Sequence, residues 1–406
     1  MRRISVALIA FLLVLPGTSV FGQQMPPGAS ATDDSEARVR FERANQILLR
    51  FVVEQKIAGA VAAVVEGDSI VWQAAVGLSD LESGTPMRQN TIFRIYSMTK
   101  PVTAVAAMML QEEGKFNLDD PVSKYLPEFR NMVVATDQGT RRPASEIKVR
   151  DLFLHTSGLN HRTSAPYAGA GVRSRSESLE TFIGKISRVP LMEDPGTRYR
   201  YSEGPTVLGR LIEVWSGQPL DQFLRTRIFE PLKMTDTGFQ VMAADRGRFA
   251  TVYTPSSTGG LQATDTEELP FTERPALLEG AVGLVSTVPD YLRFSRMLLN
   301  RGELDGVRIL RPETVDLITR NSLSAEVQAQ RGGAFGWGLA NVNVLLRDDA
   351  ANYMADAGEY GWNGSAGTAF WVEPTTNQAI VVMTQITPTN PEQFNTQFRA
   401  ALRFGE

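Results

Sequence analysis

Ser97 and Lys100 stand three residues apart in Ser97-Met98-Thr99-Lys100, where Val102, Val105, Ala106, Met109 and Leu110 begin to recur at helical spacing until Gly114. Residues three apart on a helix share a face, so the hydroxyl and the amine can come within hydrogen-bond reach. A serine hydroxyl is a poor nucleophile until a base takes its proton, and a lysine can be that base. The helix start adds main-chain N–H groups and a positive dipole end, which suit an oxyanion. The pair alone is a weak signal. With 25 serines and seven lysines in 406 residues, about 0.4 such pairs arise by chance. A second one, Ser145-Glu146-Ile147-Lys148, lies in a polar connection. The plain alternative for Ser97 is an N-cap serine beside an exposed lysine.

Other chemistry is restricted by composition. The chain has no cysteine, which removes thiol nucleophiles, thiolate metal sites and disulfides. It has two histidines, His155 and His161, six residues apart and so at neither helical spacing for a shared metal. No metal and no cofactor is expected. A Ser-His-acid esterase would need a Gly-x-Ser-x-Gly elbow and a late histidine. Neither occurs, and Leu154-His155-Thr156-Ser157-Gly158 reads as a helix end capped by Gly158.

Two later segments offer partners for Ser97. Tyr201-Ser202-Glu203 precedes an apolar helix over residues 207–215, and its tyrosine could pass a proton in concert with Lys100. Trp362-Asn363-Gly364-Ser365 opens a β-branched run at Thr368. Gly364 would let main chain approach a ligand, and the Ser365 N–H could complete an oxyanion hole with that of Ser97. Taken singly, each has a plainer reading, as a packing tyrosine or as a hairpin loop with a packing tryptophan.

Taken in order, Ser97-Met98-Thr99-Lys100, Tyr201-Ser202-Glu203 and Trp362-Asn363-Gly364 resemble the three motifs of the penicillin-recognising serine hydrolases. That group holds class C β-lactamases, D-Ala-D-Ala carboxypeptidases and family VIII carboxylesterases. Asp151-Leu152-Phe153-Leu154-His155-Thr156-Ser157-Gly158-Leu159, Gly283-Leu284-Val285-Ser286-Thr287 and Phe370-Trp371-Val372-Glu373-Pro374 are similar to the same family, and the likeness runs over residues 37–403. It implies an α/β sandwich joined to an all-helical lobe, with the site between them. It also implies acylation of Ser97, with Lys100 and Tyr201 as the base and acid pair.

Two departures bear on substrate. The β-lactamases and peptidases carry a lysine where Trp362 stands, and that cation attracts a substrate carboxylate. Desolvating a carboxylate without a positive partner is costly. Trp362, Asn363 and Gly364 therefore look like the substrate-binding strand of a family VIII esterase, with Trp362 as an apolar wall. Glu203 stands where the β-lactamases place Asn, so it must point away from Lys100 or be paired elsewhere. The expected function is hydrolysis of carboxylic esters through an acyl-enzyme. The alternatives are a class C-like β-lactamase or D-Ala-D-Ala carboxypeptidase, and a non-catalytic binding relative. A small-molecule ester or amide is the expected partner.

Elements at both ends of the chain must position these residues. Residues 37–56 repeat apolar positions at helical spacing, and two Val-rich runs flank Gly67-Asp68 as a hairpin. Residues 368–372 and 379–385 form a second hairpin around Glu373-Pro374-Thr375-Thr376-Asn377, followed by a closing helix over residues 393–404. The fold class is therefore α/β (α+β), with one antiparallel sheet from both termini flanked by helices and a helical lobe between. The expected lobes are residues 37–100 with 280–404, and residues 101–279. Residues 161–178 and 254–275, polar with few apolar anchors, read as mobile.

Arg2 and Arg3 ahead of the apolar run Ile4 to Leu15 read as a secretory signal over residues 1–22, followed by a flexible leader over residues 23–36. Twelve apolar residues fall short of the roughly 20 needed to span a bilayer. An exported, periplasmic or secreted protein without stable membrane insertion is expected. With 43% hydrophobic residues and a formal net charge of −4, the chain is globular and lacks the basic surplus of a nucleic-acid binder.

Overall fold

The computed structural model describes residues 31–348, 355–388 and 391–403. The expected signal segment and residues 23–30 lie outside the described residues. Residues 31–36, expected as leader, instead form the first turns of helix α1 (Ala31–Val53).

Eight antiparallel strands form the main sheet. They are β1 (Gly59–Glu66), β2 (Ser69–Asp80), β3 (Thr85–Pro86), β4 (Phe335–Gly338), β5 (Val342–Leu345), β6 (Tyr360–Gly364), β7 (Thr368–Glu373) and β8 (Gln378–Met383). Their order is β4-β5-β6-β7-β8-β1-β2-β3. The two ends of the chain meet at β1 and β8, paired from Val61↔Met383 to Glu66↔Gln378. Both expected hairpins form, and Gly67 takes φ +56° in the first turn.

Side chains alternate across a strand, so each strand supplies two cores. Ala60, Ala62 and Val64 face one way with Ile380, Val382 and Ala369, against Ala44, Leu48 and Phe51 of α1. The closing helix, Pro391–Arg403, adds Phe394, Phe398 and Leu402 to that layer. Val61, Ala63, Val65, Phe370, Val372 and Val381 face the opposite core. That core contains α2 (Thr99–Glu112), α3 (Val149–Leu154), α4 (Gly204–Ser216) and α5 (Val288–Leu299). The lobe between the sheet halves is mainly helical, with short ladders at Val134–Thr136/Gly139–Arg141 and Tyr253–Pro255/Leu261–Ala263. No helix among the described residues is long and apolar enough to cross a membrane.

Candidate active site

Ser97 lies one turn earlier than a simple helix start would put it. Tyr96–Met98 is a 3-10 turn leading into α2. Ser97 lies in that turn and Lys100 in the first turn of α2, three residues on and on the same face, and Lys100 Nζ lies 3.3 Å from Ser97 Oγ. Lys100 is 1% exposed, so the surface-lysine alternative is set aside. Its Nζ also donates to the Ala281 carbonyl at 3.0 Å and lies 4.6 Å from the centre of the Tyr201 ring. The other Ser-x-x-Lys pair is built differently. Ser145 is exposed, and Lys148 donates to Asp119 at 3.2 Å.

The segment around Ala281 holds the Ser97 turn from behind. The Leu284 carbonyl accepts from Ile95 N–H at 3.1 Å, and Leu284 N–H donates to Thr99 Oγ1 at 3.1 Å. Tyr291 of α5, wholly buried, donates to the Met98 carbonyl at 2.8 Å. The Ala281 carbonyl is a functional group that reading the sequence missed. A main-chain acceptor has no residue-type signal, and only the neighbouring Gly283-Leu284-Val285-Ser286-Thr287 hinted at it.

Tyr201 enters from the loop before α4. Its hydroxyl accepts from Trp362 Nε1 at 3.1 Å, and the two rings are 5.5 Å apart. Trp362 is thus more than the apolar wall expected from its type. Its indole N–H grips the tyrosine oxygen, which leaves the phenol's own proton for another acceptor. Buried Trp337 braces Trp362 edge-on at 4.7 Å.

The third segment divides between two faces of the sheet. Trp362 pairs with Phe370, on the face of the site, whereas Asn363 pairs with Ala369, on the face of the terminal helices. Asn363 lines a cavity there with Trp371 and Asn395. Strand alternation therefore sets the side chains of Asn363 and Trp362 on opposite faces of the sheet. Gly364 is required by a close approach within the chain, because a Cβ there would lie 2.4 Å from the Ile95 carbonyl oxygen. That close approach sets the end of β6 against the Ser97 turn. Ser365 opens the turn that follows β6.

Glu203 is buried, but its carboxylate accepts from Thr206 Oγ1 at 2.7 Å, one turn along its own helix. It also sits at the N-cap position of α4, where the helix dipole favours a negative charge. These contacts give it a partner other than Lys100.

Both histidines reach Tyr201, which their sequence spacing did not suggest. His155 lies 4.6 Å from the Tyr201 ring and His161 stacks on it at 5.8 Å. Burial, reinforced by nearby Lys100, holds His155 well below the usual histidine range. Burial also lowers His161, with Glu203 opposing and Lys100 and Arg162 assisting. The helix end here is His155 itself at φ +55°, not the expected Gly158.

The two segments expected to be mobile pack on each other beside the site. Arg173 bonds Glu279 at 2.5 Å and Glu267 at 2.6 Å, and Arg162 reaches Glu267 at 3.5 Å. Buried Tyr167, Val172 and Phe271 anchor them. Part of their polar composition serves ion pairing, in Arg162, Arg173 and Glu267. A separate cavity of about 500 Å³ is lined by Phe229, Phe239, Met242 and Val285 and by none of Ser97, Lys100 or Tyr201.

The family described as Beta-lactamase matches residues 41–403. Protein Rv1367c of Mycobacterium tuberculosis is 33% identical over 361 residues, 85% of this chain and 90% of that one. Esterase EstB of Burkholderia gladioli is 29% identical over 385 residues, covering 89% of this chain and 93% of that protein. Among solved structures, EstCE1, described as a hydrolase with promiscuous acyltransferase activity, aligns with a TM-score of 0.79 at 28% identity. That alignment covers 92% of this chain and 100% of the other.

Proposed function

The chain belongs to the β-lactamase family, as a serine hydrolase close to its family VIII esterases, and from that premise we propose that it cleaves carboxylic esters by a Ser97-Lys100-Tyr201 mechanism. The observation that carries this reading is convergence. Three segments spread over more than 250 residues of sequence meet through Lys100–Ser97 at 3.3 Å, Lys100 over Tyr201 at 4.6 Å and Trp362–Tyr201 at 3.1 Å.

In acylation, Ser97 Oγ attacks the ester carbonyl while its proton passes to Lys100. The C–O bond to the alcohol breaks, and the Lys100–Tyr201 pair returns that proton to the leaving oxygen. Water then repeats the sequence in reverse, releasing the acid and restoring Ser97. The main-chain N–H groups of Ser97 and Ser365 are the proposed oxyanion donors, supported by the approach of Gly364 to Ile95. Trp362 supplies no cation for a substrate carboxylate, which favours neutral esters over β-lactams and terminal D-Ala peptides. A second reading, acyl transfer to an alcohol instead of water, draws support from the activity in the description of EstCE1.

The test compares p-nitrophenyl butyrate with nitrocefin on the wild type and on two serine variants. The expected outcome is a higher kcat/KM for the ester, lost in Ser97→Ala and kept in Ser145→Ala. A wild type preferring nitrocefin refutes the esterase reading, and an active Ser97→Ala refutes the nucleophile. We further propose export through cleavage after Gly22, supported by the charged start and short apolar run. N-terminal sequencing of the exported protein should begin at Gln23, and an intact Met1 refutes it.

A further inference from the structure

We propose that His155 is the positioning residue for Tyr201, gripping the main chain on both sides of it; this rests on the Ser97-Lys100-Tyr201 reading above. The His155 carbonyl accepts from Arg200 N–H at 2.7 Å. Its imidazole Nδ1 accepts from Ser202 N–H at 3.1 Å. The residues before and after Tyr201 are thus held by one histidine, while its ring packs 4.6 Å from the tyrosine ring.

A main-chain N–H can only donate, so Nδ1 must be the acceptor and the proton of a neutral ring must sit on Nε2. Ser202 Oγ lies 3.1 Å from the same Nδ1 and reinforces the contact. The grip depends on an uncommon backbone. At φ +55° His155 ends α3 in the left-handed region, which turns its carbonyl and its side chain toward the same passing strand of chain. Strain of this kind is kept where the surroundings require it.

Nε2 is buried and has no hydrogen-bond partner among the described residues. It lies in a ring cluster with Tyr199 at 5.9 Å and Trp337 at 5.2 Å. An unpaired buried N–H is a net cost. A residue serving only to fill this space would be a phenylalanine or leucine, which avoids that cost. What histidine adds is the Nδ1 acceptor. Burial keeps the ring neutral; a protonated ring would set an Nδ1–H donor against the Ser202 N–H donor and release the clamp.

The experiment uses the full chain and ethyl butyrate, whose alkoxide leaving group needs a proton. His155→Phe keeps a ring and removes the acceptor. Misplacing a catalytic group by about 1 Å can cost about 10²-fold, so kcat should fall about 10–100-fold with KM within about threefold. In a Tyr201→Phe background the same change should cost less than about threefold, because no hydroxyl remains to be aimed. Equal losses in both backgrounds overturn the clamp. Should His155→Phe fail to fold, His155→Asn and His155→Gln decide. The Asn oxygen falls near the Nδ1 position and the Gln oxygen near Nε2, so Asn should retain at least about tenfold more kcat at matched folded fraction. Equal or reversed values overturn the proposal. A Tyr201→Phe enzyme within tenfold of wild type refutes the tyrosine's role itself. A strongly impaired Tyr201→Phe with an independent His155 effect refutes only the clamp.

Discussion

Replacing Trp362 with phenylalanine isolates one hydrogen bond. The indole Nε1 donates to the Tyr201 hydroxyl at 3.1 Å, and Trp362→Phe removes that donor while keeping an aromatic ring. A hydrogen bond between neutral groups is worth about 0.5–1.5 kcal/mol, and one to a charged group about 1.5–3 kcal/mol. At about 1.36 kcal/mol per tenfold, these correspond to losses of about 2–13-fold and about 13–160-fold. If the Tyr201 oxygen gains negative charge as it passes its proton, the loss falls in the upper range and appears in kcat. The smaller ring also forfeits contact with Trp337, at 4.7 Å, and that packing cost appears in KM and in Tm. Leaving-group basicity gives a second handle. A p-nitrophenolate departs without a proton, whereas an alkoxide needs one. Trp362→Phe should therefore slow ethyl butyrate more than p-nitrophenyl butyrate. The assay is steady-state kcat and KM on both esters, with Tm measured alongside. A kcat loss under twofold on both esters would make the indole a packing wall and refute the argument.

Gly364→Ala should lower kcat about 10²-fold or more, since its Cβ would lie 2.4 Å from the Ile95 oxygen and must displace the Ser97 turn. Gly184→Ala, where a Cβ meets nothing within 4 Å among the described residues, should leave kcat unchanged, and equal effects of the two substitutions refute this. Asp290 is pushed up to about 6, chiefly by burial. Its folded pKa exceeds the unfolded value of about 3.9, so the native state holds more protons between the two. Stability therefore falls as pH rises from about 4 to about 6 and stays lower above that. Asp290→Asn should open a gap in its own favour across that window, of about 3 kcal/mol at most. Asp236 N–H and Thr237 Oγ1 both donate to the one oxygen Oδ2, which an amide oxygen can replace. Urea denaturation across pH reads the gap, and parallel curves contradict the shift.

Two hairpins at the centre of the sheet were legible in the sequence, because alternation and turn chemistry are local, whereas the outer strands at residues 85–86, 335–338 and 342–345 were not. The Val-rich runs around Gly67-Asp68 and the pair around residues 373–377 could only be hairpins, and amphipathic spacing fixed the helices that cover them. The sequence also supplied Ser97, Lys100, Tyr201 and Trp362 as residues of the right chemical type in the right order. The tertiary structure decided what those residues touch. Strand alternation puts Trp362 on the face of the site and Asn363 on the opposite one, and the pairing register needed to see this depends on a partner strand. Ala281 offers a carbonyl to Lys100, a contact that every residue type makes equally well. The polar segments at residues 161–178 and 254–275 have few apolar anchors in sequence, and only their meeting in space brings Arg173 between Glu267 and Glu279. His155 looked like a helix end because its neighbours in the chain said so. Its partners are Arg200 and Ser202, 45 and 47 positions away, and a left-handed φ that no histidine announces turns it toward them. Local physics fixes which elements form, whereas contacts between distant segments depend on how those elements pack, and catalysis depends on the contacts.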